Sequence, residues 1–245
     1  MSNAIPDSEI EAARTDMAVV LRLTAKYDLH EGIDNHFSYA CGDGTFLLNR
    51  WGVHWSRMKR SDILRVDSAG EIITGKGSIE TTAFMIHEAF HRLCPKATAV
   101  YHTHMPYATA IACTNPGRLE PISQNALRYY GNIAYEDMYG GVANDREEGE
   151  RLARAAGDKI VVMLKNHGVM VTGPTIGIAF NDLYFLERSA KVQILAQTTG
   201  AELAMVPEAM AQMTADQIAE IDDDKETHYQ VLKQMLLEDE PETLN

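Results

Sequence analysis

At 245 residues, 45% apolar and 23% charged, the chain has the composition of a soluble globular protein with room for a substantial core. A formal net charge of −13 at pH 7, with no basic stripe, excludes a nucleic-acid partner and an anionic membrane surface. There is no apolar leader and no run of 18 apolar residues, and Cys41, Cys94 and Cys113 show no CxxC spacing. The expectation is a cytoplasmic protein with reduced thiols.

Apolar residues at three- and four-residue spacing (Ile10, Ala13, Met17, Val20, Leu21) predict a helix over 8–28, capped by Asp7 or Ser8. A loop follows to Asn35, then short strands over 36–39, 45–48, 63–66 and 71–73, separated by turns at Gly42-Asp43-Gly44 and Asp67-Ser68-Ala69-Gly70. A second helix is expected over 82–93, ending before Pro95, then a strand over 98–102 and a helix over 105–112. Residues 121–140 read as irregular with a strand near 133–135, and 147–156 as a helix closed by Gly157. Strands at 160–164 and after Gly168 precede a long helix over 176–197; an acidic helix over 222–237 ends in a polar segment expected to fray. With no linker or repeat, the pattern implies one α/β domain with a mixed sheet, its core over about residues 10–200.

Chemistry concentrates at two strand ends. His102-Thr103-His104 closes the run Ala99-Val100-Tyr101, and in an extended chain residues i and i+2 share a face about 6.6 Å apart. His167 closes the run Ile160–Leu164, so one sheet can bring three imidazoles together. Three histidines with an open position describe a catalytic metal site, whereas strand-end histidines can also serve as hydrogen-bonded structural residues. Imidazole suits Zn²⁺, Mn²⁺ and Fe²⁺, with Zn²⁺ the leading expectation. His87 and His91, four apart on the second helix, are read respectively as a proton carrier and a core histidine.

The succession Asn35-His36-Phe37-Ser38, Thr81-Thr82-Ala83-Phe84-Met85-Ile86-His87, His102-Thr103-His104 and Asn166-His167-Gly168 resembles the class II aldolase/adducin family, of the fuculose-phosphate aldolase type, over about residues 10–200. The resemblance implies a three-layer α/β/α sandwich around a central mixed, mostly antiparallel sheet. It also implies a divalent metal on His102, His104 and His167, and a tetramer with sites near subunit interfaces. The sugar-phosphate aldolases carry an acid–base glutamate four residues before the helix histidine. Here that position is Ala83, and the nearest carboxylate is Glu80, read either as its replacement or as a helix cap.

By the same resemblance, Asn35, Ser38, Thr81, Thr82 and Gln124 are candidate substrate contacts, and Tyr130 joins Glu80 and His87 as a candidate catalytic group. Tyr139, Tyr184 and Glu187 are weaker candidates. Trp51-Gly52 stands where the family has Thr-Gly, and with Arg50 beside it the anion expected is a carboxylate, keto acid or aromatic acid rather than a sugar phosphate. The function expected is a metal-dependent carbon–carbon lyase that cleaves a small hydroxy-carbonyl compound through a metal-stabilised enediolate. The alternatives are a decarboxylase of a hydroxy-aromatic or keto acid, an iron-dependent oxygenase, and a non-catalytic adducin-like assembly module.

Overall fold

The computed structural model describes residues 6–94, 96–141, 146–221 and 223–245. Its strands are β1 (His36–Ala40), β2 (Phe46–Asn49), β3 (Ile63–Val66), β4 (Ile72–Thr74), β5 (Ala99–Thr103), β6 (Ile133–Glu136), β7 (Val161–Leu164) and β8 (Gly168–Gly173). They form one sheet in the order β4-β3-β2-β1-β5-β8-β7-β6. Every neighbouring pair is antiparallel except β6 and β7. That exception follows from topology, because α5 (Arg146–Ala156) carries the chain back between β6 and β7, and parallel neighbours need such a crossover.

Both faces of the central strands are covered, as the alternation along β1 and β5 shows. Phe37 and Tyr101 stack, with centroids 3.8 Å apart, on one face. There they meet α1 (Asp7–Lys26), α3 (Pro106–Ala112) and α6 (Ile176–Thr198) in the main core, with Met17, Leu21, Trp55, Phe180 and Leu183. Val100, Val162, Leu164 and Met170 face the other way, onto Ile86, Ala89 and Phe90 of α2 (Thr81–Leu93) and Leu152 and Ala153 of α5. Because successive strand side chains alternate, His36, Ser38 and His102 all fall on the α2 side. The architecture is the expected three-layer sandwich with a mostly antiparallel sheet.

Several boundaries differ from expectation. Pro6, not Asp7 or Ser8, occupies the cap position of α1, and α2 begins at Thr81. Pro95, invoked to stop that helix, lies outside the described residues. Within 121–140 the structure forms α4 (Gln124–Leu127) as well as β6. A further helix, α7 (Glu208–Ala219), precedes α8 (Asp223–Asp239); the expected start, Asp222, lies outside the described residues. The chain end does not fray. Residues Pro241–Leu244 make a 3-10 turn with Thr243 fully buried, and the buried Arg22 guanidinium binds Glu240 and, at 3.1 Å, Glu242. No described helix is long and apolar enough to cross a membrane.

Candidate metal centre

The ends of β5 and the β7–β8 hairpin place the three histidines. His102 is the penultimate residue of β5, with His104 just past the strand end, and it pairs across the sheet with Met170. His167 sits in the tight turn that pairs Leu164 with Gly168, and Asn166 supplies that turn with φ of 55°. Asparagine tolerates this left-handed conformation, so its place in the motif has a backbone reason. Gly168 has a packing reason, since a Cβ there would lie 2.5 Å from the Thr103 carbonyl oxygen and 2.8 Å from His104 Cδ2. A side chain at 168 would push His104 out of line.

The ligand atoms of His102, His104 and His167 lie within 4.8 Å of one another. The outer nitrogens of two of them are spoken for. His102 Nδ1 donates to the Val169 carbonyl at 3.0 Å, and His104 Nδ1 donates to Glu31 at 2.7 Å. Each ring is thereby left with a bare Nε2, and these two atoms face each other at 3.0 Å. Two imidazole lone pairs aimed at each other repel unless a cation lies between them. Tetrahedral zinc, with Zn–N near 2.05 Å, separates its nitrogens by about 3.3 Å. Burial holds His102 well below the usual imidazole range and takes His167 to about 4, with neighbouring imidazoles adding to both shifts. His102 and His167 are thereby kept neutral at physiological pH, as metal ligands must be. The donor set therefore fits a divalent transition metal. Glu31, unremarked in the sequence, orients its ligand histidine in the manner usual for such carboxylates.

Behind the triad runs a second set of histidines. His36 pairs directly with His102 across β1 and β5, with ring centroids 4.8 Å apart. Its Nδ1 lies 2.7 Å from His87 Nε2; Ser38 Oγ lies 2.5 Å from His87 Nδ1 and 2.7 Å from His91 Nε2; and His91 Nδ1 lies 2.6 Å from the Ala97 carbonyl oxygen. His87 is 1% exposed and Ser38 0%, so neither reaches the cleft. Ser38, expected as a substrate contact, is a buried link between two imidazoles. Strand periodicity puts His36 and Ser38 on one face, a signal present in the sequence; the pairing of His36 with His102 was not legible there.

The other expected residues divide. Asn35 is 2% exposed; its Oδ1 accepts from the backbone N–H of Glu31 at 2.7 Å and of His104 at 3.4 Å, while its Nδ2 is buried without a partner. Glu80 caps α2: it accepts from the N–H of Thr82 at 3.1 Å and of Ala83 at 2.5 Å and from the Thr82 hydroxyl at 2.5 Å. Against the opposing effect of burial, these bonds and the nearby His36 hold its carboxyl below the usual range. Thr82 is thereby committed to the cap, and Thr81 is exposed at the helix start. Gln124 opens α4, which packs on α6 and α7, and Tyr130 follows that helix, its backbone N–H on the Leu127 carbonyl at 3.2 Å. Arg50 pairs with Asp62 at 3.3 Å, and Trp51 is half exposed. Glu187 is buried against the start of α3, accepting from Tyr107 and Ala108 N–H at 2.8 Å each. A cavity of about 410 Å³ opens at the far end of β5 and β8 beside Thr98 and Gly173, and no histidine lines it.

Sandwich, sheet order and histidine triad together define an aldolase-type metal fold, and comparison with known proteins agrees. Residues 15–194 match the family model for the class II aldolase and adducin N-terminal domain, and the chain belongs to that family. It is 32% identical over 208 residues to a Pseudomonas aeruginosa protein assigned by name to the class 2 aldolases, covering 84% of this chain and 80% of that one. A crystal structure of an aldolase II superfamily protein from Pseudomonas syringae superposes with a TM-score of 0.89 at 30% identity, covering 95% of each chain. The decarboxylase NovR of Streptomyces niveus is 28% identical over 175 residues, covering 71% of this chain and 64% of that one.

Proposed function

We propose that the protein is a metal-dependent carbon–carbon lyase acting on a small hydroxy-carbonyl compound or hydroxy or keto acid. The observation that carries this is the convergence of the three histidines, two of them with bare Nε2 atoms 3.0 Å apart, on one point beside the β5 end. His102, His104 and His167 would hold the ion, with zinc the proposed metal ahead of manganese or iron. Bound there, a divalent ion supplies Lewis-acid polarisation of a substrate carbonyl.

The chain's own residues do the rest. The Asn35 Nδ2 donor, buried and unpaired beside His104, suits a substrate oxygen, and Thr81 at the α2 start offers a hydroxyl to an anionic group. In retro-aldol cleavage the β-hydroxyl loses its proton, its oxygen forms a new carbonyl, the carbon–carbon bond breaks, and the released pair moves to the original carbonyl oxygen. Glu80 is the carboxylate proposed to take that proton, being half-buried, ionised and electrostatically linked to His36. His87, sealed behind His36, serves as a positioning residue. Gln124 and Tyr130 enter across a subunit boundary in the homotetramer we propose, and the protein is proposed to work in the cytoplasm.

A second reading, decarboxylation of a hydroxy-aromatic or keto acid, is favoured by Ala83 at the position of the aldolase glutamate and by the likeness to NovR. Incubating the zinc-loaded protein with hydroxy and keto acids while following aldehyde, pyruvate, CO₂ and O₂ separates the two. Aldehyde with a stoichiometric carbonyl co-product supports the lyase; CO₂ without aldehyde overturns retro-aldol cleavage in favour of decarboxylation. O₂ consumption by the iron form alone points to oxygenation, and absence of any turnover with every acid supports an adducin-like module.

A further inference from the structure

We infer that His36 is a further residue of this site, presenting the unprotonated Nε2 of a tautomer-locked imidazole beside the triad as the acceptor for a substrate hydroxyl.

The lock starts at the Ala97 carbonyl, which only accepts hydrogen bonds. His91 Nδ1, 2.6 Å away, must therefore carry the ring proton, and His91 Nε2 is an acceptor. Ser38 Oγ, 2.7 Å from that nitrogen, donates its single proton to it, and so can only accept from His87 Nδ1 at 2.5 Å. With its proton on Nδ1, His87 offers Nε2 as an acceptor, and His36 Nδ1 donates to it across 2.7 Å. His36 Nε2 is then left as a lone pair. Reversing every bond would require the carbonyl to donate, which it cannot do.

The sequence of donors holds only if each ring carries one proton. Burial supplies that condition: His36 and His87 are enclosed between the sheet and α2, where a second ring proton would bury a charge. No carboxylate among the described residues is hydrogen-bonded to any of the three rings.

Position gives the lone pair its use. His36 is the cross-strand partner of His102, and its ring lies against that ligand. The nitrogens that converge within 4.8 Å are those of His102, His104 and His167, and His36 stands beside that group. Its Nε2 has no partner among the described residues and is not among the polar atoms sealed from solvent. A neutral imidazole fixed as an acceptor next to a Lewis-acid site selects a substrate carrying a hydroxyl beside the coordinating oxygen, and disfavours one presenting only carbonyl or carboxylate oxygens. The donor's identity rests on the hydroxy-carbonyl reading above; the tautomers do not.

Long-range ¹H–¹⁵N correlation of the histidine rings tests this in zinc-loaded, [¹⁵N]histidine-labelled protein at neutral pH, with glycolate as probe and acetate as the control lacking a hydroxyl. The expected spectra show His36, His87 and His91 all protonated on Nδ1, with glycolate moving the His36 Nε2 resonance upfield and acetate leaving it in place. In Ser38→Ala the link is cut, His36 averages between tautomers, and the glycolate Kd rises about 5- to 10-fold, the worth of one hydrogen bond, with zinc content unchanged. A residue of purely structural importance would alter stability without moving the tautomers. The wild-type spectra decide the matter if that variant fails to fold. A proton on His36 Nε2, an absent glycolate response at His36, or an equal response to acetate each overturns the inference. Failure to take up zinc overturns the metal reading instead, and the His36 tautomer is then read in the metal-free protein.

Discussion

Glu31 and His91 show how single side chains set the chemistry of their neighbours. Glu31 holds His104 by a 2.7 Å hydrogen bond, which fixes the ring and leaves Nε2 free. Glu31→Gln keeps the shape and removes the charge, so zinc affinity should fall about 10- to 100-fold by competition with a chelator. His102→Ala removes a ligand outright, and the purified variant should lose stoichiometric metal; unchanged metal content would mean the ion sits elsewhere. His91 acts through pH. Burial lowers it from 6.5 to about 4, so between those values the unfolded chain binds a proton that the folded protein refuses. Its contribution to stability is complete above about pH 6.5 and is lost as pH falls toward 4. The urea midpoint should therefore drop from pH 7 to pH 5, and His91→Gln should flatten that drop. The two histidine motifs were legible as a candidate site because strand periodicity and spacing are local, whereas Asn35 was named only through the family resemblance. Glu31 was not, since its link to His104 spans 73 positions and depends on where a loop folds.

Among the elements, the β7–β8 hairpin matters most to the site. Gly168→Ala would drive a methyl group into the Thr103 carbonyl and His104 ring, at 2.5 and 2.8 Å, and should weaken zinc binding in a protein that still folds. Equal zinc affinity in the variant would show that the hairpin and β5 are free to part. Amphipathic periodicity announced α1, α2, α5 and α6 within a few residues, and apolar runs announced β5 and β7. α7 escaped notice although Ala211, Ala215 and Ile218 recur at helical spacing. Its mean composition is mild and small alanines signal a buried stripe weakly, so packing rather than amphipathic contrast defines it. Glu80 is the instructive case at this scale. Its dual reading was apparent from position alone, and the structure shows the cap, through two backbone N–H groups and one hydroxyl.

Across the whole molecule, the chain end closes over the first helix. Arg22, 3% exposed, bonds the Met58 carbonyl at 2.6 Å and two carboxylates of the final turn. Deleting residues 240–245 leaves a buried guanidinium without its carboxylates, which should destabilise the fold measurably. Thermal and urea unfolding should register the loss; an unchanged midpoint would make the tail dispensable. Nothing in the acidic, polar tail sequence forecast this, because the contact joins residues more than 200 positions apart.

From the sequence by itself came the α/β class, most of the helices and strands, and the three histidines of the candidate metal centre, because these depend on periodicity and spacing within short stretches. Tertiary structure alone decided which strands adjoin, and hence that His36 lies against His102, that Ser38 is buried between two imidazoles, and that Glu31 reaches His104. The physical reason is that hydrogen-bond geometry and desolvation are properties of places where distant segments meet. A local pattern can supply the nitrogens of the metal site; only the packed sheet and its covering helix determine which of those nitrogens carry protons.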